Sequence, residues 1–218
     1  MNSMNKYMDD RLLHESVYRG PAVLQVLKQT RLTLCGIGAV GSNLAMNLAR
    51  QGFSSFTAID FDRVDPQNLS TQIWSEAEIG LLKVRCLENR LFEDLGLEME
   101  SVAKKLTDQN AKKLLKRGTL LVDSFDNSTA RQIVATYCQK EKVPCLHVGL
   151  NGGYAEVIWN DQYTIPSGEG EDVCDYPLAR NLIMMAVAVA SESIVRFVVD
   201  GIQLSYTITL NDFAVREL

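Results

Sequence analysis

Cysteine and histidine are scarce in this sequence, and neither occurs in a pattern typical of a metal site. The five cysteines (35, 86, 138, 145 and 174) include no Cys-x-x-Cys pair, and only two histidines occur in 218 residues. Because structural zinc sites use closely spaced cysteine pairs, we expect no zinc. An odd number of unpaired cysteines is also typical of a reduced, cytoplasmic protein.

The sequence also lacks long apolar runs and an excess of positive charge. Its most apolar stretch, residues 182–190, is too short to span a bilayer and predicts a buried helix. The N-terminus carries charged residues where an export signal would need an apolar core. The net charge of −5 argues against nucleic acid or an anionic membrane as the main partner.

Short β-rich runs alternate with longer helical patterns along the chain, which has the length of a single domain covering residues 1–218. This alternation predicts an α/β fold with a Rossmann-like, doubly wound and mostly parallel sheet. Additional antiparallel strands are expected near the C-terminus, where Gly152-Gly153 joins two of them and residues 204–210 form the last. Ser75 and Glu78 form a possible capping box that predicts a helix running to about Leu95.

A glycine-rich turn between a predicted strand and a predicted helix is the first feature that indicates chemistry. Gly36, Gly38 and Gly41 form a G-x-G-x-x-G pattern. Glycines at this spacing allow backbone N–H groups and the positive end of the helix to face a phosphate. Asp60, which closes the next predicted strand, is placed to accept hydrogen bonds from a ribose. The turn predicts a nucleotide site, but alone it fits an NAD-dependent oxidoreductase equally well.

Three further motifs follow the glycine turn in order. They are Asp60-Phe61-Asp62-Arg63-Val64 leading to Asn68-Leu69-Ser70-Thr71-Gln72, then Ile79-Gly80 before Lys83, then Asp126-Asn127 before Arg131. This series resembles the ThiF/MoeB/HesA family, the bacterial relatives of ubiquitin-activating enzymes. That family carries D-x-D-x-V-x-x-x-N-L-x-R-Q, then I/V-G-x-x-K, then D-N-x-x-x-R at nearly these spacings. The resemblance covers most of the chain, from about Arg11 to near Val199.

The resemblance implies an ATP-dependent adenylyltransferase that activates a carboxylate as an acyl-adenylate. The carboxylate would belong to the C-terminus of a ubiquitin-like or sulfur-carrier protein, to a peptide, or to a small-molecule acid. ATP and Mg²⁺ are the implied cofactors, and a homodimer or heterodimer is the implied assembly. The implied nucleotide-binding residues are Gly36, Gly38, Gly41, Asp60 at the ribose, Asp62, Asn68 and Lys83 at the phosphates, and Gln72. The implied metal ligand is Asp126, and the candidate catalytic residues are Lys83, Asp126 and Cys174.

The chemistry of adenylation agrees with these roles. The nucleophile is already an anion, so the reaction needs positive charge around the phosphates rather than a general base. Simpler interpretations remain open for each residue. Lys83 could be an exposed helix lysine, Asp126 or Asn127 a helix cap, and His147 a core histidine. Cys174 could take the activated acyl group as a thioester or help form an acyl-disulfide, or it could be an inert loop cysteine.

Two arginines of the family pattern are missing. Thr71 stands where N-L-x-R-Q has arginine, and His14 stands where an N-terminal R-x-x-R beginning at Arg11 has its second arginine. A guanidinium is a permanent phosphate ligand, so we expect substitutes, with Arg11, Arg19 and Arg85 as the local candidates. Two alternatives therefore stay open: a non-catalytic nucleotide-binding subunit that pairs with an active partner, and an NAD-dependent oxidoreductase.

Overall fold

The computed structural model of the chain describes residues 10–165 and 177–218. Within these ranges the strands are β1 (Arg31–Cys35), β2 (Ser55–Ile59), β3 (Met99–Val102), β4 (Leu120–Asp123), β5 (Cys145–Asn151), β6 (Tyr154–Trp159), β7 (Tyr206–Thr209) and β8 (Ala214–Glu217). The α-helices are α1 (Leu13–Arg19), α2 (Pro21–Gln29), α3 (Ala39–Gln51), α4 (Lys83–Leu95), α5 (Asp108–Leu115), α6 (Ser128–Glu141) and α7 (Arg180–Asp200).

The described strands form one sheet in the order β3-β2-β1-β4-β5-β6-β7-β8. Strands β1 to β5 are paired in parallel, whereas β5 to β8 are paired antiparallel. The chain winds outward from β1 through β2 to β3, and then continues on the other side of β1 with β4. In such sheets ligands bind beyond the carboxyl ends of the strands where the order reverses, which here is between β1 and β4. The predicted fold class is confirmed.

Helices cover both faces of the sheet, so its central strands are mostly apolar. One core cluster joins Leu34 of β1 to Leu44 of α3, Leu87 of α4 and Ile183 of α7. A second cluster, on the opposite face, joins residues of β1 and β2 to α5 and α6. This two-sided burial explains why the last four residues of β1, LTLC, are all buried rather than alternately exposed.

Helix α7 is long and apolar enough to cross a membrane by length and composition alone. It packs, however, against α3 and against β5, β6 and β7. Leu182, Ile183, Ala186 and Val187 are all fully or almost fully buried in these contacts. The predicted buried helix in this region is therefore present, and its packing is typical of a core helix.

Two predicted boundaries were wrong. Ser75 and Glu78 do form a capping box, but it begins a short 3-10 helix, Glu76–Glu78. Gly80 then adopts a φ of +85°, and α4 begins only at Lys83. The chain also continues beyond the last predicted strand into β8. The first correction matters for the site, because it places Lys83 in the first turn of a helix rather than in its middle.

Because one face of α7 is buried and the other is exposed, substitutions on the two faces should differ in their effect on stability. Ile194→Ala removes a fully buried side chain and should lower the free energy of unfolding by about 2–5 kcal/mol. Met184→Ala, at a position that is 43% exposed on the same helix, should have a much smaller effect. Urea denaturation of both variants measures the difference. Equally small losses would contradict the proposed packing of α7.

Candidate nucleotide site

The glycine turn brings the start of α3 unusually close to the end of β1. Gly36 has a φ of +88°, which favours glycine. A Cβ added at Gly41 would lie 2.0 Å from the carbonyl oxygen of Gly36. The Ser124 hydroxyl donates to that same carbonyl at 3.0 Å. Any side chain at position 41 would therefore push α3 away from the sheet.

The first turn of α3 presents its backbone N–H groups without a side-chain cap. Gly38 is the N-cap residue and provides no capping atom. A Cβ built on Gly38 would meet no atom within 4 Å. The first N–H groups of a helix have no partner inside the helix, and together with the helix dipole they favour an anion. This end of α3 has both the space and the donors to hold a phosphate group.

Asp60 lies against the glycine turn, as the sequence predicts. Its side chain is 6% exposed. One carboxylate oxygen accepts the Ile37 N–H at 2.6 Å, and the other accepts the Asp62 N–H at 2.7 Å. Burial raises the pKa of Asp60, while the hydrogen bond from Ile37 and the charge of Lys83 oppose this rise. Asp60 thus holds the turn in place, and its contact with a ribose stays a prediction.

Lys83 is a buried cation at the edge of this turn. The residue is only 7% exposed, so it is not a solvated helix lysine. Its ammonium nitrogen lies 3.6 Å from a carboxylate oxygen of Asp62, a side chain that is nearly half exposed. Its backbone N–H also donates to the Asp62 carbonyl. The structure therefore brings Asp60, Asp62 and Lys83 together at the carboxyl end of β2.

Asn68 and Gln72 both have hydrogen-bonding partners within the protein. The side-chain oxygen of Asn68 accepts the Asp65 N–H at 3.0 Å and completes a capping box around the 3-10 helix Pro66–Ser70. Gln72 is buried and accepts the indole N–H of Trp74 at 2.6 Å. Both side chains shape the segment that follows Asp62, and their contact with nucleotide stays a prediction.

This segment is fastened to the start of α3 by Asn43. The Asn43 side-chain amide donates to the carbonyl of Thr71 at 2.9 Å and to the carbonyl of Ala39 at 2.7 Å. Ala39 is the first residue of α3. Thr71, the position of the missing arginine, therefore lies beside the helix turn that would hold a phosphate.

Asp126 follows β4 on the other side of the turn. The adjacent Asn127, rather than Asp126, caps α6 by accepting the Ala130 N–H at 2.8 Å. Asp126 is exposed at the site edge. Among residues 10–165 and 177–218, no group of three or more His, Cys, Asp or Glu side chains could hold a metal. A Mg²⁺ ion at Asp126 would therefore be completed by phosphate oxygens and water, as is usual for this ion.

A buried polar network beneath Asp126 is a feature that the sequence did not reveal. His147 places one ring nitrogen 2.8 Å from the carboxylate of Asp123 and the other 3.0 Å from the side-chain oxygen of Asn160. Asp123 and His147 are both fully buried. The ring of Tyr163 stacks on His147 at 3.8 Å between centroids. His147 is thus a satisfied core histidine, as expected.

Arg131, the last residue of the third motif, also belongs to this network. Its guanidinium donates to the carbonyls of Phe125 and Val148 and to the hydroxyl of Tyr163, at 2.6, 2.7 and 3.1 Å. It also lies 4.0 Å from the carboxylate of Asp123. Because Phe125 directly precedes Asp126, Arg131 fixes the loop that presents Asp126.

The predicted substitutes for the missing arginines have other partners. Arg19 forms ion pairs with Glu15 and Glu192, at 2.6 and 2.8 Å. Arg85 pairs with Glu88 on the next turn of α4. Arg11 donates to the carbonyl of Leu95. The charges of Arg19 and Arg85 are therefore already compensated by carboxylates.

Cys174 lies outside the described residues, so its predicted role is not addressed by the structure. The other four cysteines are buried and form no disulfide. Burial raises the pKa of Cys35 and of Cys145 well above the usual thiol value. A thiol with a raised pKa is a poor nucleophile at neutral pH. Neither of these two cysteines is therefore a substitute for Cys174.

The chain is similar to known proteins both in sequence and in fold. The model of the ThiF family matches residues 10–175. A tRNA threonylcarbamoyladenosine dehydratase from Haemophilus influenzae is 27% identical over 139 residues, which are 62% of this chain and 53% of that protein. The sulfur carrier protein ThiS adenylyltransferase of Bacillus subtilis is 30% identical over 139 residues, 62% of this chain and 41% of that protein.

The similarity to solved structures covers more of the chain than the similarity to these relatives does. A crystal structure of E. coli MccB with MccA-N7isoASN superposes with a TM-score of 0.84 and 16% identity, covering 98% of this chain and 72% of that one. In contrast, the aligned region spans only about half the length of the curated relatives. The structural similarity therefore supports the fold.

Two aspartates of the site should differ in their contribution to stability. Asp60→Asn replaces one of two hydrogen-bond acceptors with a donor, so a buried backbone N–H loses its partner. The free energy of unfolding should fall by about 1–3 kcal/mol. Asp126→Asn, at an exposed position, is the matched control and should leave it unchanged. Urea denaturation compares the two, and equal stability of both variants would show that Asp60 does not hold the turn.

Proposed function

The chain belongs to the ThiF family, and we propose that residues 1–218 act as one adenylation domain that binds MgATP and activates a carboxylate. The observation that carries this proposal is the buried ammonium of Lys83 beside the glycine turn, with Asp62 at 3.6 Å. A cation held in that position is suited to the phosphates of a nucleotide. Family membership favours adenylation over the dehydrogenase that the glycine turn alone would allow.

The proposed reaction joins a carboxylate oxygen to the α-phosphorus of ATP and breaks the bond to the pyrophosphate leaving group. The first N–H groups of α3 and the ammonium of Lys83 would hold the negative charge that shifts onto the phosphate oxygens. Asp60 would hold the ribose, Asn68 would contact the phosphates, and Asp62 and Gln72 would complete the nucleotide site. A Mg²⁺ ion held by Asp126 would supply further positive charge at the phosphates.

The carboxylate substrate is proposed from the relatives. One of them is named as the adenylyltransferase of a sulfur carrier protein, and the MccB structure contains MccA-N7isoASN. We propose the C-terminus of a ubiquitin-like or sulfur-carrier protein, a peptide, or a small-molecule acid. The net charge of −5 supports these substrates over tRNA. The four buried thiols support a reduced, cytoplasmic setting.

We also propose that the active form is a dimer. Val17 and Tyr18 of α1 are 77% and 80% exposed. The ion pair of Arg19 with Glu192 places α1 beside α7, where Met184 is also exposed. Exposed apolar side chains on two helices that an ion pair joins suit a protein contact. Sedimentation equilibrium tests this proposal, and a purely monomeric protein would contradict it.

Two single substitutions should remove activity without unfolding the protein. Lys83→Ala and Asp126→Ala should each slow ATP–pyrophosphate exchange by about 10²–10³, because each removes a charge that stabilises the transition state. The assay supplies a ubiquitin-like carrier protein, a short peptide or an amino acid as the carboxylate. Lys112→Ala, an exposed lysine of α5, is the control and should exchange at the parent rate.

Folding of these variants is checked by circular dichroism. If folded Lys83→Ala and Asp126→Ala proteins exchange pyrophosphate as fast as Lys112→Ala, both assignments are wrong. A protein that binds MgATP but supports no exchange with any of the carboxylates would instead match the non-catalytic subunit.

For Cys174 we propose capture of the activated acyl group as a thioester. Its sulfur would displace AMP from the acyl-adenylate after the thiol has lost its proton. Cys174→Ser should then leave pyrophosphate exchange unchanged and prevent a covalent acyl adduct that mass spectrometry detects on the parent. An adduct of equal yield on the serine variant, sensitive to hydroxylamine in the same way, would leave Cys174 without this role.

A further inference from the structure

Arg180 is an arginine that none of the sequence motifs includes, yet it lies next to the candidate site. It is the first residue of α7, and its guanidinium donates to the carbonyl of Ser70 at 3.4 Å. Two residues earlier, Leu178 pairs with Gly152 at the turn between β5 and β6. The start of α7 is therefore positioned by contacts on both sides rather than by the helix alone.

Ser70 connects Arg180 to the glycine turn. The next residue, Thr71, accepts the Asn43 amide at 2.9 Å, and Asn43 also binds the carbonyl of Ala39 at the start of α3. The guanidinium of Arg180 thus lies over a segment that packs directly on the first turn of α3. That turn carries the N–H groups that would face a phosphate.

The direction of α7 places Arg180 at the open end of α3. Asn47 lies one turn after Asn43, and its amide donates to the Ser191 hydroxyl at 2.8 Å. Helix α3 begins beyond the carboxyl end of β1, and Leu178, just before α7, pairs with Gly152 beyond the carboxyl end of β5. Both helices therefore start at the same end of the parallel strands, so α7 and α3 run in the same direction. Ser191 is 11 residues after Arg180, a distance of roughly 16 Å along a helix, whereas Asn47 is eight residues after Ala39, the first residue of α3, a distance of roughly 12 Å. Arg180 therefore extends beyond the first turn of α3.

The charge of Arg180 is uncompensated within the part of the chain that the structure describes. Its one hydrogen bond to a described residue is to a backbone carbonyl, and no ion pair joins it to a described carboxylate. The guanidinium carries five N–H groups in total, so most of them have no partner among the described residues. Lys83 provides one compact positive charge at the end of β2, and Arg180 adds a planar, positively charged group of N–H donors at the start of α7.

We infer that Arg180 binds the terminal phosphates of a nucleoside triphosphate and supplies the charge that Thr71 cannot. This inference rests on the proposed nucleotide site. The ligand chemistry is a polyphosphate, because planar guanidinium groups bind phosphate oxygens with two parallel hydrogen bonds. A nucleotide with a single phosphate, held by the turn at residues 36–41, would not extend to Arg180.

Titration calorimetry with three probes tests the inference: MgATP, AMP and inorganic tripolyphosphate. Arg180→Ala should weaken binding of MgATP and of tripolyphosphate by about tenfold or more, and should leave AMP affinity within twofold of the parent. Arg196→Ala is the matched control, since Arg196 is a half-exposed arginine of the same helix that lies near Glu192. It should leave all three affinities unchanged.

A second substitution distinguishes a role for the charge of Arg180 from a purely structural role. Adding Thr71→Arg to the Arg180→Ala variant should restore MgATP affinity, because it returns a guanidinium to the same segment. Loss of AMP and MgATP binding in equal proportion would overturn the inference in favour of a structural role. Unchanged tripolyphosphate binding in Arg180→Ala would also overturn it, while leaving ATP binding by the parent intact.

Failure of the nucleotide site itself gives a different result. If the parent binds tripolyphosphate through Arg180 but does not bind MgATP, the anion site stands and the proposed adenylation does not. If the parent binds none of the three probes, both are wrong.

Discussion

The hydrogen bond from the Ile37 N–H to the carboxylate of Asp60 is the interaction on which the site depends. It joins the ends of β1 and β2 through the backbone of the glycine turn. Glycine-rich segments have many accessible conformations, and Asp60 selects one of them. In that conformation Gly41 approaches the Gly36 carbonyl so closely that no side chain fits. The start of α3 is then held at the sheet edge with its N–H groups available.

Charged side chains lie around this turn in two groups, one beside the site and one beneath it. Lys83 is buried beside the turn, and its partner, Asp62, is half exposed. In the proposed nucleotide site, a phosphate would replace this exposed partner beside the ammonium. Below the site, Asp123 and His147 are fully buried and fully partnered, and Arg131 ties them to the loop before Asp126. Buried networks of this kind rigidify their surroundings when every member is satisfied.

The features that the sequence predicted well are those whose signals are local. The glycine turn and the alternation of strands and helices depend on neighbouring residues, and so does the cap formed by Asn127. The start of α4 was missed because the Ser75 capping box also fits a 3-10 helix. In addition, Gly80 has a positive φ, which prevents one continuous helix from Ser75 to Leu95.

Strand β8 was missed because its side chains are mostly exposed, so it has no apolar alternation to detect. Two long-range contacts of the site could not be predicted. Arg180 reaches Ser70 across 110 residues of sequence, and His147 meets Asp123 only because β4 and β5 are neighbours in the sheet.

The measurement that most directly tests the account is nucleotide selectivity of the unmodified protein. Calorimetric titration with ATP in the presence and absence of Mg²⁺, compared with NADH under the same conditions, separates the two functions that a glycine turn allows. The account predicts that ATP binds, that Mg²⁺ strengthens its binding, and that NADH binds far more weakly. Tight binding of NADH, with no detectable binding of ATP at any Mg²⁺ concentration, would contradict it.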